Sequence, residues 1–183
     1  MKNINLKNIN SSWSLFIDRD GVVNEEKQDD YIHTWDEFRF YEGAKESFRI
    51  FDKKFRVILM VTNQRGVAKG LTKLQDLHLI HRNMLQEIEE AGGRLDGIYV
   101  CTDMDSPSRK PNPGMGLQAL EDFKEIDLSK SVMVGNTLSD MKFGRNLGVK
   151  MNIFLPTTRK EVNVNDPTID LVFADLISFA KAL

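Results

Sequence analysis

The chain is 183 residues long, 41% apolar and 28% charged, with a formal charge of -2. That length suits one domain with a large core, and the near-balanced charge offers no overall basicity for nucleic acid or a membrane surface. A single cysteine, Cys101, excludes an internal disulfide and suits a reducing compartment; no run reaches the length of a membrane span, and Met1 to Ser12 is too polar for a signal peptide, so a cytoplasmic protein is expected.

Residues 1–12 read as a tail or edge segment, and residues 13–183 as a single domain. Lys-Asn-Ile-Asn occurs twice in Met1 to Asn10, too short a unit to be an architectural repeat. Asn10-Ser11-Ser12 matches a glycosylation sequon that a cytoplasmic chain would not use. Strands are predicted at Trp13–Asp18, Phe55–Thr62, Asp96–Cys101, Ser131–Gly135 and Lys150–Leu155, with a weaker one at Asp170–Phe173. Several are apolar throughout, as strands buried on both faces are. Helices fall between them: Gly43–Asp52, Lys73–Ala91, Pro113–Phe123, Leu138–Leu147 and Leu176–Ala182.

The long helix carries the clearest pattern. Thr72 and Gln75 read as a capping box, and Leu74, Leu77, His81, Met84, Leu85, Ile88 and Ala91 form one stripe at helical spacing. Gly92-Gly93 ends it. Trp13, Trp35, Phe38, Phe40 and Tyr41 read as core or lid packing. Alternating strand and helix predicts an α/β fold of three layers, a mostly parallel sheet covered on both faces; no inserted stretch is long enough for a large, separate cap domain. Ligands of such sheets bind beyond the carboxyl ends of the strands.

Chemistry gathers at those ends. The first strand runs into Asp18 and Asp20, followed by Gly21. Two close acids repel, so a cation between them is expected, and Mg²⁺ is a hard ion that prefers oxygen. The second strand ends in Thr62-Asn63-Gln64-Arg65-Gly66, which supplies hydroxyl and amide donors. The third leads to Arg109-Lys110-Pro111-Asn112-Pro113-Gly114, with Asn112 as expected helix cap and Pro113 as first helical residue. Lys110 adds full positive charge near a helix start. The fourth ends in Gly135-Asn136-Thr137-Leu138-Ser139-Asp140. Each segment also has a plain structural reading: turn caps for the acids, a solvated loop for Arg109-Lys110, helix capping for Asn136 and Asp140. Together they suit a phosphate group, with a metal, donors for its oxygens and a carboxylate to attack phosphorus.

In this order the motifs resemble the haloacid dehalogenase (HAD) superfamily of phosphohydrolases. The nearest branch is the one holding D-glycero-D-manno-heptose 1,7-bisphosphate phosphatase and the histidinol-phosphate phosphatase domain. The matching stretches are Asp18-Arg19-Asp20-Gly21 with Asn24, Thr62-Asn63-Gln64 with Gly66 and Gly70, Asp96-Gly97-Ile98-Tyr99, Arg109-Lys110-Pro111 with Pro113-Gly114-Met115, and Val134-Gly135 with Asp140-Met141. The resemblance implies that Asp18 is the nucleophile, forming an aspartyl-phosphate, and Asp20 the general acid and base. It implies that Thr62 and Lys110 hold phosphoryl oxygens, that Asn63 and Gln64 line the phosphate or substrate site, and that Arg109 meets the leaving group or a second phosphate. Mg²⁺ would be held by Asp18, the Asp20 carbonyl and Asn136, with Asp140 helping through a bridging water. Residues between Asn24 and Tyr31 would line the mouth.

Two departures follow from the same resemblance. The zinc loop of heptose-bisphosphate phosphatases keeps only Cys101 here; Asp103 stands near the histidine position, and Ser106 and Ser108 replace the final cysteines. Serine hydroxyls are poor zinc ligands, so no structural zinc is expected, and Pro107 with the shortened Met104–Ser108 segment must hold Arg109 instead. His78 and His81 have permissive spacing for zinc, yet lone helical histidines usually serve packing or the surface. The second departure is Asn136, where the family places a charged aspartate. The expected activity is Mg²⁺-dependent hydrolysis of a small phosphorylated metabolite, heptose bisphosphate first and histidinol phosphate next, by a monomer or weak dimer. A polynucleotide 3′-phosphate is disfavoured by the lack of a basic stripe with interleaved aromatics. The alternative is a phosphate-binding pseudoenzyme or regulatory module that lost turnover through Asn136.

Overall fold

The computed structural model describes residues 5–158 and 162–183. The start of the first Lys-Asn-Ile-Asn copy, within Met1 to Ile4, lies outside the described residues. Six strands form one parallel sheet: β1 (Ser14–Ile17), β2 (Val57–Asn63), β3 (Gly97–Cys101), β4 (Ser131–Gly135), β5 (Met151–Phe154) and β6 (Leu171–Val172). Their spatial order is β3-β2-β1-β4-β5-β6. All six predicted strands are present. Between them run the helices α1 (Ala44–Lys54), α2 (Arg65–Ala68), α3 (Leu74–Glu90), α4 (Gly114–Asp122), α5 (Leu138–Leu147) and α6 (Leu176–Lys181). Only the four-residue α2 was not predicted, because one turn has no room for a 3.6-residue period.

Side chains alternate across the sheet and divide the core in two. Leu15, Ile17, Ile58, Met60, Val132 and Val134 point to the face covered by α1, α3 and α6, where Phe48, Phe51, Ile80, Met84 and Phe179 meet them. Phe16, Leu59, Val61 and Met133 point to the other face, against Met115 and Ala119 of α4 and Phe143 and Leu147 of α5. β1, β2 and β4 are therefore apolar on both sides over most of their length, which is why they read as hydrophobic runs, while β5 is interrupted by the buried Asn152. Trp35 stacks on Phe38, and Phe38 meets Phe40 edge-on, beside the first core face. Ile9 also packs there and is 2% exposed. None of the described helices is long and apolar enough to cross a membrane.

Three local expectations need correction. α3 has Lys73 at its N-cap without a side-chain cap bond. Thr72 lies outside the helix: its backbone N–H donates to Gly66 and its hydroxyl sits 2.9 Å from His33 Nδ1, which removes it from capping. In the α3 stripe, Leu74 is 50% exposed and Ile80 is buried instead. For α4, Pro113 occupies the N-cap and Gly114 is the first helical residue. Asn112 Nδ2 donates to Ser106 O, so the loop rather than the helix takes its side chain.

β1 sits at the centre, with β2 on one side and β4 on the other. The chain leaves β1 toward β2 and leaves β4 toward β5, in opposite directions, which opens a crevice at the carboxyl ends of β1 and β4. Asp18, the next residue after β1, donates its N–H to Val134 O at 3.0 Å and so stands at that crevice.

Candidate active site

A cleft of about 850 Å³ opens over the strand ends. Asp18, Asp20, Asn63, Gln64, Arg109, Lys110, Asn136 and Asp140 all line it. Thr62 lies just beneath, 1% exposed, bonded to Gln64. Every sequence-predicted site residue is thus gathered at one place, from four separate strand ends. The mouth is built from Glu26, Lys27, Asp29, Asp30 and Tyr31, the segment expected there, together with Arg65 and Lys69.

At the floor, one ammonium faces two carboxylates. Lys110 Nζ is 2.8 Å from Asp18 Oδ1, 2.6 Å from Asp140 Oδ1, and donates to Val61 O at 2.8 Å. All three of its protons are used. Burial pulls the Lys110 pKa down, but Asp140 and Asp18 outweigh it, and the amine is held charged. Asp18 is pushed up to about 7, by burial first and Asp140 second, against the opposing pull of Lys110. Asp18 Oδ2 accepts no hydrogen bond from the described residues, and it is the oxygen free to act on a ligand.

Asp140 serves two masters with its two oxygens. Oδ1 meets Lys110, while Oδ2 accepts from Thr137 N at 2.9 Å and from the Thr137 hydroxyl. Thr137 is the N-cap of α5 and returns the bond to Asp140 N, a complete capping box. Asp140 is therefore both the capping partner of Thr137 and one of the two carboxylates on Lys110. Gly135 fits only because it lacks a side chain: an added Cβ would lie 2.3 Å from the Asp140 Cβ. Asn63 locks the lysine loop from the other side, accepting from Lys110 N at 3.0 Å and donating to Lys110 O at 3.1 Å.

Asp20 sits in the opposite environment. Arg19 Nη2 donates to Oδ1 at 2.8 Å and Oδ2 at 3.0 Å, Asn24 Nδ2 to Oδ1 at 3.0 Å, and Gln64 Nε2 to Oδ2 at 2.8 Å. Burial alone would raise its pKa, but the Arg19 charge and these donors outweigh it and hold the carboxyl below its ordinary value. Two carboxyls two residues apart are thereby driven in opposite directions, the pattern expected of groups with different chemical tasks.

Asn136 is fully buried. Its Nδ2 donates to Thr158 Oγ1 at 2.7 Å and Glu26 Oε2 at 3.3 Å, while its Oδ1 has no partner among the described residues. Buried amide oxygens are rarely left so. Gly21, at φ +76°, passes so close that a Cβ there would fall 1.9 Å from Asn136 Nδ2. An oxygen oriented by two bonds on its own amide, in the cleft that Asp18 also lines, fits a hard cation. No three His, Cys, Asp or Glu side chains converge as a metal cluster among the described residues. A cation here must therefore draw on amide and backbone oxygens as well as carboxylate.

The Cys101 region is closed by hydrogen bonds. Cys101 Sγ lies 3.6 Å from Ser106 Oγ, Ser108 N donates to the same hydroxyl, and Arg109 Nη1 donates to Asp103 O at 3.2 Å. The short loop itself thus carries Arg109 to the cleft. From sequence Arg19 carries no assigned role, and His81 reads as a packing or surface residue. Arg19 is 0% exposed and bridges Asp20 and His81. The one legible signal was a polar residue, His81, on the apolar stripe of α3.

Residues 14–178 match the family described as polynucleotide kinase 3 phosphatase. A D-glycero-alpha-D-manno-heptose-1,7-bisphosphate 7-phosphatase of Mycobacterium bovis is 35% identical over 138 residues, 74% of this chain and 73% of that protein. A D-glycero-beta-D-manno-heptose-1,7-bisphosphate 7-phosphatase of Haemophilus influenzae is 31% identical over 179 residues, 93% of this chain and 96% of that protein. Among solved structures, D,D-heptose 1,7-bisphosphate phosphatase from B. bronchiseptica, complexed with magnesium and phosphate, superposes with a TM-score of 0.82 at 26% identity, covering 92% of this chain and 96% of that one.

Proposed function

The chain belongs to the HAD-superfamily phosphatases, in the polynucleotide kinase 3 phosphatase and heptose-bisphosphate phosphatase branch, and from that premise we propose that it is a Mg²⁺-dependent phosphomonoesterase acting on a sugar bisphosphate through an aspartyl-phosphate. The observation that carries this reading is Asp18 itself: buried at the end of the central strand, one oxygen on Lys110, the other open to the cleft.

In this reading Asp18 Oδ2 attacks phosphorus, and the bond to the leaving oxygen breaks. Asp20 gives that oxygen its proton. Asp20 then takes a proton from water as the water attacks phosphorus and releases Asp18. The depressed Asp20 pKa suits the second step; a phosphate dianion arriving beside it favours the protonated form needed for the first. Lys110 keeps positive charge under the phosphoryl oxygens, and Thr62 offers a hydroxyl to them. Such fixed charges are the largest expected catalytic contribution. Asp18, Asn136 and the Asp20 carbonyl would hold Mg²⁺, with Asp140 reaching it through water. When bound, the ion supplies positive charge that keeps Asp18 ionised and neutralises the phosphate.

The mouth supports a second anionic group on the substrate. Arg65, Lys69 and Arg109 line it, and none has a carboxylate partner among the described residues. Lys69 instead lies 5.4 Å over the Tyr31 ring, and Arg65 Nε is buried without a partner. The relatives divide between alpha and beta anomers, so both anomers of heptose 1,7-bisphosphate are the first substrates to assay. Phosphate release with Mg²⁺ is measured beside histidinol phosphate and a 3′-phosphorylated oligonucleotide, for wild type and Asp18→Asn. Turnover of a sugar bisphosphate, lost in the variant, is expected. Preference for the oligonucleotide, or phosphate binding without turnover, would overturn the proposal.

A further inference from the structure

Arg19 heads the largest fully buried side chains of the protein. Its Nη2 and Nε hold the Asp20 carboxylate, at 2.8 and 3.2 Å to Oδ1, and Nη2 also donates to Gln64 Oε1 at 3.2 Å. Its third nitrogen, Nη1, lies 3.0 Å from His81 Nε2. A guanidinium has donors only, so Nε2 must accept and the ring proton must sit on Nδ1. Burial first and the Arg19 charge second keep the ring neutral, with its pKa pushed down to about 3. His81 comes from α3, 62 positions along the chain, and is the one polar residue among the buried Leu77, Ile80, Met84 and Ile88.

On this geometry we propose that His81 is a positioning residue for Asp20. The ring nitrogen fixes one side of the Arg19 guanidinium, and the opposite side then holds the Asp20 carboxylate at a set angle to the cleft. Without an acceptor at position 81, Nη1 is a buried donor with nothing to meet, and the guanidinium turns to satisfy it. Asp20 turns with it. The inference rests on the reading of Asp20 as the group that protonates the leaving oxygen.

That role predicts a signature that a merely structural histidine would not give. An alkoxide leaving group needs the proton from Asp20; p-nitrophenolate leaves without much help. Because breakdown of the aspartyl-phosphate is common to both substrates, kcat/KM, which reports the steps up to phosphoryl transfer, is measured for a sugar phosphate and for p-nitrophenyl phosphate on the same preparation of wild type, His81→Leu and His81→Gln. The ratio of the two rates does not depend on how much of the sample is folded. His81→Leu is expected to lower the sugar phosphate rate roughly tenfold more than the aryl phosphate rate, as loss of a supporting contact commonly does. His81→Gln, whose amide oxygen also accepts, is expected to restore most of the ratio. If His81→Leu does not accumulate, His81→Phe tests the same point with a ring that has no acceptor. Equal losses on both substrates, or a Gln variant no better than Leu, would overturn the inference. Wild type inactive on both substrates would instead sink the assignment of the site as a phosphatase centre.

Discussion

Replacing Asp18 by its neutral isostere should make the metal-free protein more stable, and only at high pH. In the wild type two buried carboxylates share the single ammonium of Lys110. Burial and Asp140 push Asp18 from 3.8 to about 7. A carboxyl raised in the native state binds its proton more tightly folded than unfolded. Its cost is therefore absent below about pH 4, grows as pH rises, and is complete above about pH 7. At 1.36 kcal/mol per pH unit the ceiling is about 4 kcal/mol, and relaxation of the open side of the site reduces the working figure to about 2 kcal/mol. For a chain of this size each kcal/mol moves Tm by about 2–4 °C. Asp18→Asn should then melt about 4–8 °C above wild type at pH 8 in EDTA, and within about 2 °C of it at pH 4.5. Thermal melts followed by circular dichroism provide the test. A variant that melts below wild type at pH 8, or a difference that ignores pH, would refute the picture of an over-anionic floor.

Lys110→Met leaves Asp18 and Asp140 without their shared cation, and a urea titration should show a loss of about 3–5 kcal/mol along with loss of turnover; an unchanged midpoint would contradict the ion-pair arrangement. Asn136→Asp adds a charge where only an amide oxygen stands, so calorimetric Mg²⁺ affinity should rise at least about threefold, and no gain would count against Asn136 as a ligand. Arg65→Ala should raise KM for a sugar bisphosphate roughly tenfold and leave KM for p-nitrophenyl phosphate unchanged; equal effects on both would remove Arg65 from recognition of the second anion.

How much could be read from the chain follows from the range of each interaction. Strands such as Ser131–Gly135 are buried on both faces and announce themselves by unbroken apolar runs. Asp18, Lys110 and Asp140 were legible because the segments that follow parallel strands meet at one edge of the sheet: Asp18 directly follows β1, Lys110 lies in the loop between β3 and α4, and Asp140 in the first turn of α5 after β4. Thr72 was misread because the same Ser/Thr-x-x-Gln spacing that can cap a helix here belongs to a residue drawn off by His33. The Arg19–His81 contact spans 62 positions and leaves no local pattern at all. The neighbours that orient Asn136, Glu26 and Thr158, lie far from it in the chain and arise only from folding.

The double duty of Asp140 divides the protein into a part that can drift and a part that cannot. Any change to that carboxylate would disturb the start of α5 as well as the charge balance beneath the cleft, so tinkering there would be filtered twice. At the rim Lys27 pairs with Asp30 and Glu37, and neither it nor Asp29, Asp30, Arg65 or Lys69 bonds to a floor carboxylate among the described residues. New substrate ranges would therefore emerge by rewriting the rim, while the floor passes unchanged from one specificity to the next.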